Sequence, residues 1–321
     1  MKTILQLLSV VFLLTACSQE APKPPLKIGI NFWPGYAHAF IAEKQGLFKK
    51  YGVEVELVFK SEMTETTKLY KDRKLDGIFA VLPDVIMFNA EKIPTQVVYV
   101  VDYSDGGDLI IGSAELKSLA DLKGKTVSFE GINTFSHLLV IKLLEKAGIK
   151  EGEFKSANLP VAEVLAALEA GKIDAGHVYS DVTTEALQKG YKILGKAGDI
   201  PGIITDVLAF NDNVIKNRPD DVQAVIKACL EANKFLEAFP DKALTIMAKA
   251  ENTTKEIMKM GLADIHSLDL AENVAALQTG GTLSDVSQEV MNFYLEKGQL
   301  PRMINLDKIL NERFIQNLAK K

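Results

Sequence analysis

Two succession patterns of apolar and polar positions organise this chain. From Lys27 to Tyr103, short β-branched runs at Lys27–Phe32, Val53–Phe59, Gly77–Val81 and Val97–Tyr103 read as strands. Between them, Ala37–Lys50, Thr64–Lys71 and Pro83–Glu91 carry apolar residues at helical spacing. After Gly106-Gly107 the succession returns. Lys125–Glu130, Phe154–Asn158 and Asp174–Val178 read as strands, and Thr134–Ala147 and Val182–Gln188 as helices. A further helix opens at Pro160-Val161, and Gly171 ends it as a left-handed cap. Such alternation predicts an α/β fold of mainly parallel sheets flanked by helices. Beyond Asp206–Asn211 the pattern turns helical, with helices opened by Pro219 and Pro240 and others at Ser284–Lys297 and Ile309–Leu318, forming a helical C-terminal tail.

The two series share punctuation. Lys74-Leu75-Asp76-Gly77 precedes a strand leading to Asp84-Val85, and Lys172-Ile173-Asp174-Ala175 precedes one leading to Asp181-Val182. One β-loop-α-β-α-β unit is therefore used twice, too few copies for a solenoid. Two lobes are expected, one from residues 27–108 with 207–321 and one from 109–206. Val97–Gly112 and Ile203–Asn211 would carry the chain between them.

The N-terminus has its own grammar. Lys2 precedes an apolar run, Ile4 to Leu14, shorter than the roughly 20 residues that span a bilayer and suited to a signal peptide over residues 1–16. Leu14-Thr15-Ala16-Cys17 resembles a bacterial lipobox, in which the cysteine is lipidated and becomes the first residue. The bland alternative is an ordinary signal with an incidental cysteine. Residues 17–26, polar and proline-rich, would form the tether between a membrane anchor and the folded chain. Cys229, the other cysteine of two, falls at helical spacing among Val222, Val225, Ile226 and Leu236, as a buried thiol would. A formal net charge of -5 argues against nucleic acid as a partner, since that binding rests on Lys and Arg against phosphate.

Four segments carry a resemblance. Trp33-Pro34-Gly35-Tyr36, the run from Ala42 through Gly46-Leu47-Phe48 to Val55, Val101–Gly106 and Leu119–Lys125 resemble the family that binds nitrate, taurine, alkanesulfonates and thiamine-pyrimidine precursors. The resemblance implies a two-lobed periplasmic binding protein of the two-crossing type (class II-like), working as a monomer that captures a small organic solute: an amine, a zwitterion, a pyrimidine-like ring or a sulfonate/taurine-like molecule. It also implies ABC permease and ATPase subunits as partners. At Tyr179-Ser180-Asp181 the family often carries Trp-x-Pro, so this wall of the pocket departs from the pattern.

Ligands of open α/β sheets sit beyond the carboxyl ends of strands, near helix N-termini. That rule selects the loops holding Trp33, Tyr36, Asp84, Glu130, Asn133, Thr134, Phe135, Ser136, Tyr179 and Asp181, and the crossings add Asp102 to Asp108, with Tyr103 and Asp105, and Thr205-Asp206. Aromatics are more often core, and Asn133 or Thr134 at a helix start is equally an N-cap. These loops hold many carboxylates and neither Arg nor Lys, a setting that favours an amine, a zwitterion or a pyrimidine-like ring over a bare anion. His38, His137 and His177 lie near them without metal-ligand spacing, so no metal and no cofactor are expected. Two functions compete with import. A thiamine-pyrimidine-pathway enzyme would need a reactive His and Cys cluster that this sequence lacks. A solute-sensing module for a receptor needs the same capture and closure.

Overall fold

The computed structural model describes residues 23–300 and 302–320; the signal-peptide and Cys17 expectations lie outside them. The first unit runs β1 (Leu26–Asn31), α1 (His38–Lys44), α2 (Leu47–Lys50), β2 (Val55–Lys60), α3 (Met63–Lys71), β3 (Gly77–Val81), α4 (Leu82–Ala90) and β4 (Thr95–Ser104). The single helix expected over Ala37–Lys50 is broken at Gly46, whose φ of 67° lies in the left-handed region that glycine adopts without penalty. The second unit runs β5 (Asp108–Gly112), β6 (Thr126–Phe129), α5 (Phe135–Lys146), β7 (Lys155–Asn158), α6 (Val161–Glu169), β8 (Ala175–Tyr179), α7 (Ser180–Gln188) and β9 (Lys192–Lys196). The chain then returns through β10 (Thr205–Asn211), α8 (Asp212–Asn217), α9 (Pro219–Ala238), α10 (Pro240–Ala250), α11 (Lys255–Ala263), β11 (Ile265–Ser267), α12 (Leu270–Leu277), α13 (Thr282–Glu296) and α14 (Arg313–Ala319).

The strands form two sheets, ordered β11-β4-β10-β3-β1-β2 and β7-β6-β8-β5-β9. The repeated unit supplies a parallel trio to each, β2-β1-β3 and β7-β6-β8. Each trio is then extended by antiparallel strands, the first of which arrives from the other lobe: β10 beside β3, and β5 beside β8. The sheets are therefore mixed rather than mainly parallel, because a strand entering from the opposite lobe runs against its host trio. β3 is buried on both faces, as a strand covered by helices on each side must be.

The shared tetrads have a physical cause. Asp76 accepts the backbone N–H of Lys27 through its carboxylate (2.9 Å) and donates its own N–H to the Lys27 carbonyl (2.8 Å). Asp174 does the same to Thr126, at 2.8 Å and 2.8 Å. In each lobe this aspartate fastens the entry of the third strand to the start of the central one.

The crossings lie side by side. Ser104 donates its N–H to the Ile204 carbonyl (3.1 Å), and Gly198 donates to the Asp105 carbonyl (2.7 Å). The tail adds a third element, as Asp105 and Gly106 both donate to the Asp264 carbonyl at 3.0 and 2.8 Å. Helix α13 packs on α4 and reaches the second lobe. There Tyr294 donates to the Thr134 carbonyl (3.2 Å), Lys142 pairs with Glu289 (3.1 Å), and Lys297 pairs with Glu151 (2.7 Å). Cys229 is fully buried on α9, and burial pushes its thiol up to about 12.

Candidate solute-binding site

The strand ends place a cavity between the lobes. Asn31 closes β1, Val81 closes β3, Tyr179 closes β8, Asp108 opens β5, and Asp206 lies at the start of β10. With Trp33, Tyr36, Met63, Phe135 and Ile204 they enclose about 20 Å³, room for about one water. A solute larger than one water needs more room than this between Trp33 and Tyr179. Trp33 from one lobe meets Tyr179 from the other edge-on, with ring centroids 6.3 Å apart. Neither Lys nor Arg lines the cavity.

Asp206, which lines the cavity, belongs to an acid pair whose other member, Asp102, is fully buried behind it. Asp102 and Asp206 face each other in the β4–β10 register. Trp33 Nε1 lies 3.3 Å from both oxygens of Asp102, and the Tyr36 hydroxyl donates to Asp206 Oδ1. Burial pushes Asp102 up to about 8. Burial, and then the charge of Asp102, carry Asp206 well above the ordinary carboxylate range. As two carboxylates, Asp206 Oδ2 has no donor. Burial beside a like charge disfavours ionising both acids at once. Burial first, then Asp206, raise Tyr36 far above its usual value, so its hydroxyl stays a donor.

An outer space adjoins the cavity, sharing Met63 and Phe135 and lined also by Asp84, Glu130, Asn133 and Thr134. Burial raises Glu130 to about 8, and Tyr179 donates to its Oε1 at 3.3 Å. Burial raises Asp84 to about 7.

The site residues expected from sequence divide accordingly. Trp33, Tyr36, Tyr179 and Asp206 come together around the cavity, and Asp84, Glu130, Asn133 and Thr134 around the outer space. Thr134 is also the N-cap of α5, accepting from His137 N–H at 3.3 Å, and Asn133 adopts a positive φ of 68° beside it. Tyr103 and Asp105 line neither space. Tyr103 stacks on His266 with centroids 6.4 Å apart, because β11 covers that edge of the sheet. Asp105 lies exposed in the crossing, where its carbonyl takes Gly198 N–H. Asp181 falls in the first turn of α7. Sequence reading missed Asn31, Met63 and Ile204. The strand-end rule contained the signal for Asn31, the last residue of the central strand. Asp102 and Asp108 were among the carboxylates expected in the first crossing, and the register of β4 against β10 sets Asp102 opposite Asp206. Among the described residues no cluster of His, Cys, Asp and Glu suits a metal ion, and no helix is long and apolar enough to cross a membrane.

Two α/β lobes joined by two crossings around a cavity at their strand ends define a periplasmic binding protein fold. Residues 33–243 match the family model described as NMT1/THI5 like, and the chain belongs to that family. It is 24% identical over 260 residues to the formylaminopyrimidine-binding protein of Halalkalibacterium halodurans, covering 76% of this chain and 77% of that one. It is 24% identical over 238 residues to the taurine-binding periplasmic protein of Escherichia coli, covering 71% and 73%. Its fold matches the ligand binding component of an ABC-type import system from Staphylococcus aureus with zinc bound, at a TM-score of 0.77 and 16% identity over 93% of this chain and 100% of the other. Enzymes occur among the matched proteins too.

Proposed function

We propose that this chain is the solute-capturing lipoprotein of an ABC importer, and that its solute is a small nitrogenous molecule: an amine, a zwitterion or a pyrimidine-like ring. One observation carries the ligand class. The cavity has aromatic walls from both lobes and acceptor groups on Asn31, Asp108 and Asp206, with no basic side chain. A bare anion there would meet carboxyls and no cation, whereas a ring or ammonium bearing N–H groups meets acceptors and aromatic faces. The formylaminopyrimidine-binding relative supports the same class.

The action is capture without chemistry. The solute bridges the lobes and favours the closed arrangement by binding it more tightly than the open one. Trp33 is the only tryptophan, so its fluorescence reports the site directly. Titration with 4-amino-5-aminomethyl-2-methylpyrimidine, taurine and nitrate tests the reading, and saturation by the aminopyrimidine is expected. A response to nitrate or alkanesulfonates alone would overturn it. Anchoring rests on Cys17 and the proline-rich stretch after it. Cys17→Ala should abolish palmitate labelling in cells and release the protein from the membrane fraction, and an unchanged distribution would remove the anchor from this reading.

A further inference from the structure

A second polar chain runs behind the cavity wall. Ser136 Oγ accepts the backbone N–H of Glu130 at 3.1 Å and lies 2.8 Å from His177 Nδ1. His177 Nε2 lies 3.1 Å from Asp108 Oδ1. Ser136 and His177 are fully buried, and Asp108 is 2% exposed. Of the three, only Asp108 lines the cavity.

The donors fix one arrangement. The Asp108 carboxylate only accepts, so His177 Nε2 carries a proton toward it. With a neutral ring, Nδ1 is then the acceptor and the Ser136 hydroxyl, which also accepts the Glu130 N–H, donates to it. Phe135 stands edge-on to the imidazole (5.6 Å, 85°), and Tyr179 packs against it at 5.7 Å, so the ring cannot turn without repacking the cavity wall. On the other side, Asp108 N–H donates to Ser104 Oγ across the first crossing, at 3.1 Å.

Ser, His and Asp are also the components of a hydrolytic triad, but a nucleophile must reach its substrate. Ser136 does not line the cavity, and its oxygen is occupied by Glu130 N–H.

We propose that Ser136 and His177 are positioning residues of the solute site, which hold the Asp108 carboxylate in one orientation so that its free oxygen accepts an N–H of the solute. The inference rests on the cavity being the solute site. One Asp108 oxygen is committed to His177. The other lies at the cavity, to which the opposite lobe brings Asn31, whose Oδ1 is buried without a partner. A solute with more than one N–H group can use an acceptor from each lobe.

The test compares full-length variants by Trp33 fluorescence with 4-amino-5-aminomethyl-2-methylpyrimidine at pH 7. Asp108→Asn should weaken binding about 100-fold, as loss of a buried hydrogen bond to a charged group does. His177→Phe keeps an aromatic ring but no N–H and should weaken it about tenfold. His177→Gln restores an N–H toward Asp108 and should bind within about threefold of wild type, as a retained hydrogen bond allows. If the ring served packing alone, the order would reverse, with Phe harmless and Gln harmful, and that order would overturn the inference. Ser136→Ala should weaken binding and also lower the melting temperature by a few degrees, because the Glu130 N–H and His177 Nδ1 lose their buried partner; unaltered binding would count against the inference. Imidazole nitrogen NMR of the wild type decides the chain separately from the ligand. Nε2 bearing the proton is expected, and a doubly protonated or Nδ1-protonated ring overturns it. If the tautomer is as expected and the wild type ignores the aminopyrimidine, the ligand class falls while the chain stands.

Discussion

Single residues set the electrical character of the cleft. Glu130 and Asp102 sit at about 8 and Asp84 at about 7, all raised first by burial. A carboxyl whose folded value exceeds its unfolded value of about 4 holds a proton in the folded state that the unfolded chain has released. Its contribution to stability is complete below about pH 4 and is lost as pH rises through 7 to 8. The empty protein should therefore melt at lower temperature at pH 8.5 than at pH 5.5. Glu130→Gln should flatten that slope in scanning calorimetry, since the amide does not titrate. Gly35 carries a second prediction. A Cβ there would stand 1.8 Å from Asp102 Oδ2 and 2.9 Å from Trp33 Nε1. Gly35→Ala should push the acid off the indole, cost about 1–3 kcal/mol by overpacking, and weaken solute binding. Wild-type stability and affinity in that variant would show that the acid pair moves freely.

Among the elements, the chain pattern showed most of what repeats and little of what is imported. The parallel trios were legible because each strand is a continuous β-branched run bounded by a helix, and the tetrads at Asp76 and Asp174 flagged the doubling. β9 and β11 were not, since Lys192–Lys196 and Ile265–Ser267 carry too few apolar residues to signal a strand, and each exists only by pairing with a neighbour. Much of the inner cavity was readable from loops after strands and from the crossings; that Asp102 faces Asp206 was not, because it depends on the register of two strands a hundred residues apart. Helix α13 is the element with the most testable consequence. Lys297 pairs with Glu151 and Glu145, and Tyr294 with the Thr134 carbonyl, so the tail clasps the second lobe. Each partly exposed ion pair adds no more than about 1 kcal/mol, but open and closed forms commonly differ by only a few kcal/mol. Lys297→Ala should raise the radius of gyration of the ligand-free protein in small-angle scattering and weaken solute binding several-fold. An unchanged scattering curve would assign closure to the crossings alone.

At the scale of the molecule, binding and stability are one measurement. A solute that bridges two lobes and binds only the folded form adds about 2.7 kcal/mol at a hundred times its Kd, so the true ligand should raise the melting temperature by several degrees. Trp33→Ala should remove most of that rise, since the indole touches the acid pair from one lobe and Tyr179 from the other. The position of β10 reaches further. It lies between β3 and β4, two strands of the first lobe that do not pair with each other, and it is made only after the whole second lobe. A chain emerging from the ribosome therefore cannot join β3 to β4 until about residue 211 has appeared, and β11 reaches the sheet's edge only at Ser267. The delay is long on the scale of local folding, because strands so distant in sequence pair slowly. The second sheet, built wholly from strands between Asp108 and Lys196, can form while the first is still in two pieces.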